Sequence, residues 1–166
     1  CKVAALFYNP ELVHTPPQTR DEMVTLARQL TDDPVYGLAY EVTDFFYSAA
    51  WFLGAGGDFF DDDGAITLDT PAMAEMLRFA RALVMEEHVA PEEASGVLVA
   101  QLFNDGHAAM VISGPWFLSQ LDDDTPRGVA PLPVPARPLM GVETTHVGHA
   151  RQLAQAADDV DVVVAV

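Results

Sequence analysis

The sequence predicts an α/β domain. Short apolar runs of strand length alternate with longer segments whose apolar residues recur at helical spacing, and proline, glycine or aspartate turn chemistry separates them. Half of the 166 residues are apolar, enough for one domain of ordinary size with its own core. Neither an internal repeat nor a long linker divides them.

Lys2 to Tyr8 reads as a buried strand that Asn9-Pro10 ends. After a loop, Pro16-Pro17-Gln18 leads into Thr19-x-x-Glu22, a capping box, and Met23, Leu26, Ala27 and Leu30 supply the apolar stripe of a helix. Asp32-Asp33-Pro34 closes that helix, and Tyr36 to Glu41 is apolar enough for a strand packed on both faces. An aromatic-rich helix is expected from Asp44 to Gly54. Gly56-Gly57 and the run Asp58 to Gly64 then suggest a hairpin turn, with Ile66-Thr67-Leu68 as the returning strand.

Thr70 caps a long helix with Pro71 at its first position, and Met73, Met76, Leu77, Ala80, Leu83 and Val84 form its buried stripe. Pro91-Glu92-Glu93 is expected to open a further short helical region. Val97 to Phe103 forms another helix, Ala108 to Ile112 a strand, Ser113-Gly114-Pro115-Trp116 a turn into a short helix through Leu121, and Gly128 to Pro131 a brief strand.

Composition removes several functional classes. The 25 acidic residues outnumber the 8 basic ones, for a formal charge of −17, so phosphate backbones are repelled and nucleic acid is not an expected partner. The single Cys1 forms no internal disulfide, and no CxxC or Cys/His ligand set accompanies it. Cys1 at a mature amino terminus would suit lipid acylation, but Val3 to Tyr8 follow without a polar tether, so the chain is expected to begin inside a strand. No signal peptide or transmembrane run is visible.

Candidate catalytic and metal motifs fail on spacing. An EF-hand loop with Gly64 sixth would need oxygen ligands at positions one and twelve, where Phe59 and Thr70 stand, so the acids Asp58, Asp61, Asp62 and Asp63 read as a solvated hairpin tip. His146-x-x-His149 has no third ligand nearby, and Gly148 weakens a helix there. A Gly-x-Ser-x-Gly elbow and the phosphate-binding glycine loops are both missing. Neither an enzyme nor a cofactor is expected.

The aromatic residues carry more information. Phe45, Phe46, Tyr47 and Trp51 gather at one expected helix start, and Trp116 stands at another just beyond Gly114-Pro115. Rings beside helix amino termini suit sugars: the rings cover C–H faces while free N–H groups and a nearby carboxylate satisfy hydroxyls. The same spacing also suits rings that are simply core.

Leu102 to Trp116, reading LFNDGHAAMVISGPW, resembles the segment of maltose-type solute-binding proteins of ABC importers in which a helix, a strand and a Gly-Pro-Trp turn approach the sugar. Ala5 to Leu12, the Pro-Pro-Gln-Thr that follows, Gly56-Gly57 and Asp63 to Pro71 resemble that family in the same order. The likeness runs over about residues 2 to 142.

That resemblance implies one lobe of a two-lobed periplasmic-binding-protein-like fold of type II, with a central sheet flanked by helices. Residues 2–140 would be the carboxy-terminal-type lobe, and 141–166 the hinge return and the start of the other lobe, most of which is absent. The family's ligand contacts map onto Phe46 or Tyr47, onto Trp116, and onto Asp44 as a carboxylate; Lys2 stands where the maltose protein has another acid. By the same likeness the partners are a small carbohydrate and ABC permease subunits, and the location is periplasmic or extracellular, with lipoprotein tethering of the full-length protein as one form. The alternatives are a sugar-sensing effector domain of a transcription regulator and, behind it, a carbohydrate-active hydrolase.

Overall fold

The computed structural model describes residues 3–61 and 63–134. Its centre is a four-stranded mixed sheet: β1 (Ala5–Tyr8), β2 (Tyr36–Ala39), β3 (Ala108–Ser113) and β4 (Gly128–Ala130) lie in the order β2-β3-β1-β4. β2 and β3 run parallel, with Leu38 opposite Met110, whereas β1 is antiparallel to both its neighbours, with Ala5 opposite Ser113 and Leu6 opposite Ala130.

The helices are α1 (Arg20–Leu30), α2 (Phe45–Gly54), α3 (Pro71–Met85) and α4 (Gly96–Asn104), followed by a 3-10 turn, η1 (Pro115–Gln120). The alternation of side chains across the strands divides the core into two layers. Leu6, Leu38, Met110 and Ile112 join Met23, Trp51, Met76 and Leu83 on one face. Phe7, Ala39 and Val111 join Val99, Phe103 and Phe117 on the other. Burial on both faces is what the unbroken apolar run after Tyr36 required.

Side chains at the helix starts do what their types allow. Thr19 Oγ1 accepts from the Glu22 N–H at 3.2 Å, Thr70 Oγ1 from the Met73 N–H at 3.2 Å, and Ser95 Oγ from the Leu98 N–H at 3.3 Å. The capping box at α1 is shifted by one residue: Glu22 Oε2 accepts the N–H of Gln18 at 2.8 Å, not that of Thr19. α1 lies so close to β2 that a Cβ at Gly37 would stand 2.0 Å from the Ala27 carbonyl oxygen, so only glycine permits this approach.

α2 is apolar around most of its circumference because it is wrapped by protein, with Tyr47, Ser48, Ala49, Ala50, Trp51 and Phe52 all buried. It packs on α3. Trp51 meets Tyr40 and Phe79 edge-on, at centroid distances of 5.8 and 4.8 Å, and its indole N–H donates to the Pro133 carbonyl at 3.2 Å. Tyr40 Oη and Ser48 Oγ are neighbours in this layer, yet among the described residues neither meets hydrogen-bond geometry with a partner.

Three expectations are corrected. Ile66 to Leu68 is not a strand: a single bridge joins Ile66 to Phe60, and Ile66 and Leu68 are both exposed, so no burial rewards further pairing. The turn before it is held instead by the Asp61 side chain, whose Oδ1 accepts from the N–H groups of Asp63 at 3.0 Å and Ala65 at 2.8 Å. Pro91-Glu92-Glu93 does not start a helix; both glutamates are exposed without an apolar stripe, and α4 begins only where Ser95 caps it. The first strand starts at Ala5, where pairing with Ser113 begins. Lys2, Gly141 to Glu143, His146 and His149 lie outside the described residues.

Candidate ligand-binding site

β2 and β3 are parallel, so their carboxyl ends fall at the same end of the sheet, and the segments that leave them define one site. In open α/β sheets this end is where ligands bind. The chain leaving β2 passes Glu41, and Asp44 then caps α2, its Oδ1 accepting the Phe46 N–H at 2.9 Å. The chain leaving β3 turns at Gly114 into η1, which carries Trp116.

Three rings meet there. Phe46 lies with its centroid 5.3 Å from Tyr47 and 5.7 Å from Trp116, the first pair edge-on and the second tilted by 49°. Phe46 and Trp116 are half-buried, while Tyr47 is buried. The Trp116 indole folds back over Gly114, where a Cβ would stand 2.2 Å from Cη2. Glycine is therefore the residue that lets the tryptophan lie down.

Polar groups converge on the Tyr47 hydroxyl, which donates to Glu41 Oε1 at 3.3 Å. Burial holds this phenol above its ordinary range, the Glu41 charge and hydrogen bond raise it further, and the neighbouring Ser113 hydroxyl and Trp116 indole N–H oppose the rise. Glu41, Tyr47, Gly96, Ser113, Trp116 and Gln120 line a recess of about 50 Å³.

The sequence-predicted residues divide cleanly. Phe46, Tyr47 and Trp116 are brought together, and Asp44 stands at the rim, exposed, with one oxygen engaged as a cap. Glu41 was missed as a site residue. The sequence pattern ends a strand at this residue, but the strand stops at Ala39, and an acid just past a buried run and three residues before a helix cap is the signal available for it.

A larger cleft of about 450 Å³ opens at the other end of β2, lined by Asp33, Tyr36, Met85, His88 and Glu92 among others. Size alone would favour it. Among the described residues Tyr36 is its sole Phe, Tyr or Trp ring, and it lies at the amino end of β2, so the smaller, ring-flanked site is the better candidate for a stacked ligand.

Sheet order, flanking helices and an aromatic site beyond the strand ends define a lobe of the type II binding-protein fold. The chain belongs to the family of bacterial extracellular solute-binding proteins, whose sequence model matches residues 2–147. It is similar to the maltotriose-binding protein of Pyrococcus abyssi, at 31% identity over 136 residues, covering 80% of this chain and 29% of that protein. It is also similar to the maltodextrin-binding protein MdxE of Bacillus subtilis, at 27% identity over 146 residues, covering 77% of this chain and 34% of that protein. Among solved structures, the Thermus thermophilus maltotriose-binding protein bound with maltotriose matches with a TM-score of 0.72 and 29% identity, over 81% of this chain and 38% of that one. The maltose/maltodextrin-binding domain MalE from Bdellovibrio bacteriovorus bound to maltotriose also gives 0.72, with 26% identity, over 79% and 37%. This chain thus spans about a third of the length of the curated relatives it matches. These relatives and neighbours are binding proteins, and no helix among the described residues is long and apolar enough to cross a membrane.

Proposed function

We propose that this chain is the ligand-gripping part of an extracytoplasmic receptor that delivers a sugar or oligosaccharide to an ABC permease, without chemical change to the ligand. The observation that carries the reading is the Phe46–Trp116 pair, two half-buried aromatic side chains with ring centroids 5.7 Å apart, beside a buried tyrosine that donates to the half-buried carboxylate of Glu41. Rings of this kind cover the C–H face of a pyranose, and the adjacent acids Asp44 and Glu41 accept its hydroxyls.

In this reading Phe46 and Trp116 stack on the ligand, Tyr47 supports Phe46 from below, and Asp44 offers its free oxygen at the rim. Lys2 is assigned a polar contact with the ligand by resemblance alone. Residues 2–140 form the gripping lobe, and 141–166 return toward a second lobe whose closure over the ligand presents the complex to the permease. The maltotriose and maltodextrin named for the relatives make α-glucans the first ligands to try. The location is the periplasm or cell exterior, with a lipid tether as one mode of retention there.

The test is a calorimetric titration of the complete gene product against a panel of sugars that includes maltose, maltotriose and an arabino-oligosaccharide, with Trp116→Ala as control. Saturable binding of at least one sugar, weakened about tenfold or more in the variant, is the expected result. Binding of none of them, or equal binding by the variant, contradicts the proposal, and so does release of cleaved sugar.

A further inference from the structure

The recess beside the ring pair has a chemistry of its own. Its volume of about 50 Å³, against about 450 Å³ for the larger cleft, exceeds the roughly 10–15 Å³ that holds one water, so it has room for a small polar group such as a hydroxyl or hydroxymethyl. Its walls are mixed. Glu41 contributes an acceptor, whereas Trp116 contributes an indole N–H that can only donate, and the hydroxyls of Tyr47 and Ser113 can do either.

The Tyr47 hydroxyl engages only Oε1 of Glu41, leaving the carboxylate with further acceptor capacity. Gly96, the first residue of α4, keeps the space beside that carboxylate open: a Cβ there would stand 3.0 Å from Glu41 Oε1.

We propose that this recess is a hydroxyl-reading subsite, in which one hydroxyl of the bound sugar donates to Glu41 and accepts from Trp116 or Ser113. The proposal rests on the carbohydrate reading above and adds to it the acceptor that selects the ligand. A hydroxyl suits the walls because it is donor and acceptor at once. An ammonium group could accept from neither the indole N–H nor the Ser113 hydroxyl, and a carboxylate would meet the charge of Glu41. Trp116 then serves the ligand twice, with its face through stacking and with its N–H edge inside the recess.

The experiment compares unaltered complete gene product, Glu41→Gln and Gly96→Ala, each titrated with maltotriose and with a set of its monodeoxy analogues. Glu41→Gln is expected to bind maltotriose about 10-fold more weakly, since a hydrogen bond to a charged acceptor is replaced by one to a neutral group. One analogue is expected to bind the unaltered protein about 10-fold more weakly and to lose nothing further in Glu41→Gln, because the hydroxyl and its acceptor form one interaction. Gly96→Ala keeps every hydrogen-bonding group, narrows the recess and is expected to weaken the parent sugar but not that analogue.

A carboxylate that only braces Tyr47 would weaken all analogues by a common factor. That pattern, or unchanged affinity in both variants, overturns the subsite while leaving the receptor reading in place. Failure of the unaltered protein to bind maltotriose or any other sugar of the panel overturns the receptor reading and the subsite with it.

Discussion

The Trp116 indole lies over Gly114 so closely that a methyl group at position 114 would occupy space 2.2 Å from the ring carbon Cη2. The glycine is not there for an unusual backbone angle, since its φ of −109° is open to any residue. What matters is the absent side chain, which gives the tryptophan a flat bed and holds it 5.7 Å from Phe46.

Gly114→Ala therefore displaces the indole rather than the backbone. In the complete gene product the expected outcome is sugar affinity lowered by about tenfold with little change in melting temperature, on the scale of losing one aromatic contact. Wild-type affinity in this variant, measured calorimetrically, would mean that the ring's resting position is immaterial to binding.

Asp44 has two jobs that substitution can separate. As the cap of α2 it accepts the Phe46 N–H at 2.9 Å, and Asp44→Ala is expected to cost about 1 kcal/mol of stability. Asp44→Asn keeps a capping oxygen and should leave stability within about 0.5 kcal/mol while still weakening sugar binding if the charged oxygen contacts the ligand. Denaturant unfolding and titration of the same two variants read the two roles independently, and an asparagine variant with full affinity would confine Asp44 to capping.

Gly37→Ala tests how the sheet carries its helices. The new Cβ would meet the Ala27 carbonyl oxygen at 2.0 Å, backbone against backbone, with no flexible side chain to yield. A loss of about 1–3 kcal/mol or more is expected in equilibrium unfolding, the usual range for overpacking. A neutral result would show that α1 can move away from β2 at little cost.

Burial holds the phenols of both Tyr40 and Tyr47 above their ordinary range, and Glu41 adds to the effect at Tyr47. An unfolded chain releases such protons near pH 10 while the folded chain retains them, so above that pH the unfolded state binds fewer protons. The contribution of these groups to stability is complete below about pH 10 and declines as pH rises beyond it. Unfolding measured between about pH 8 and pH 11 should fall less steeply for Tyr40→Phe than for the parent. Parallel curves would argue that the parent's Tyr40 ionises as freely folded as unfolded.

Much of the fold was legible because local chemistry and periodicity agreed. Thr19 and Thr70 announced their helices, Pro71 stood where its missing N–H costs nothing, and the run after Tyr36 was too uniformly apolar for a half-exposed strand. Where local pattern had no tertiary reward it misled. Ile66-Thr67-Leu68 has strand composition, but Ile66 and Leu68 remain exposed and pair with nothing beyond one bridge.

Taken alone, the chain's order of residues determined an α/β domain, an acidic surface hostile to phosphate, and a set of aromatic residues at two helix starts. Only the tertiary structure decided that Phe46, Tyr47 and Trp116 share one site, because residues some 70 positions apart meet through the parallel pairing of β2 with β3, which no local pattern encodes. That pairing, together with the packing of α4 on β3, sets Gly96 beside Glu41. A carboxylate acquires a function from what surrounds it, and its surroundings here come from three separate stretches of chain.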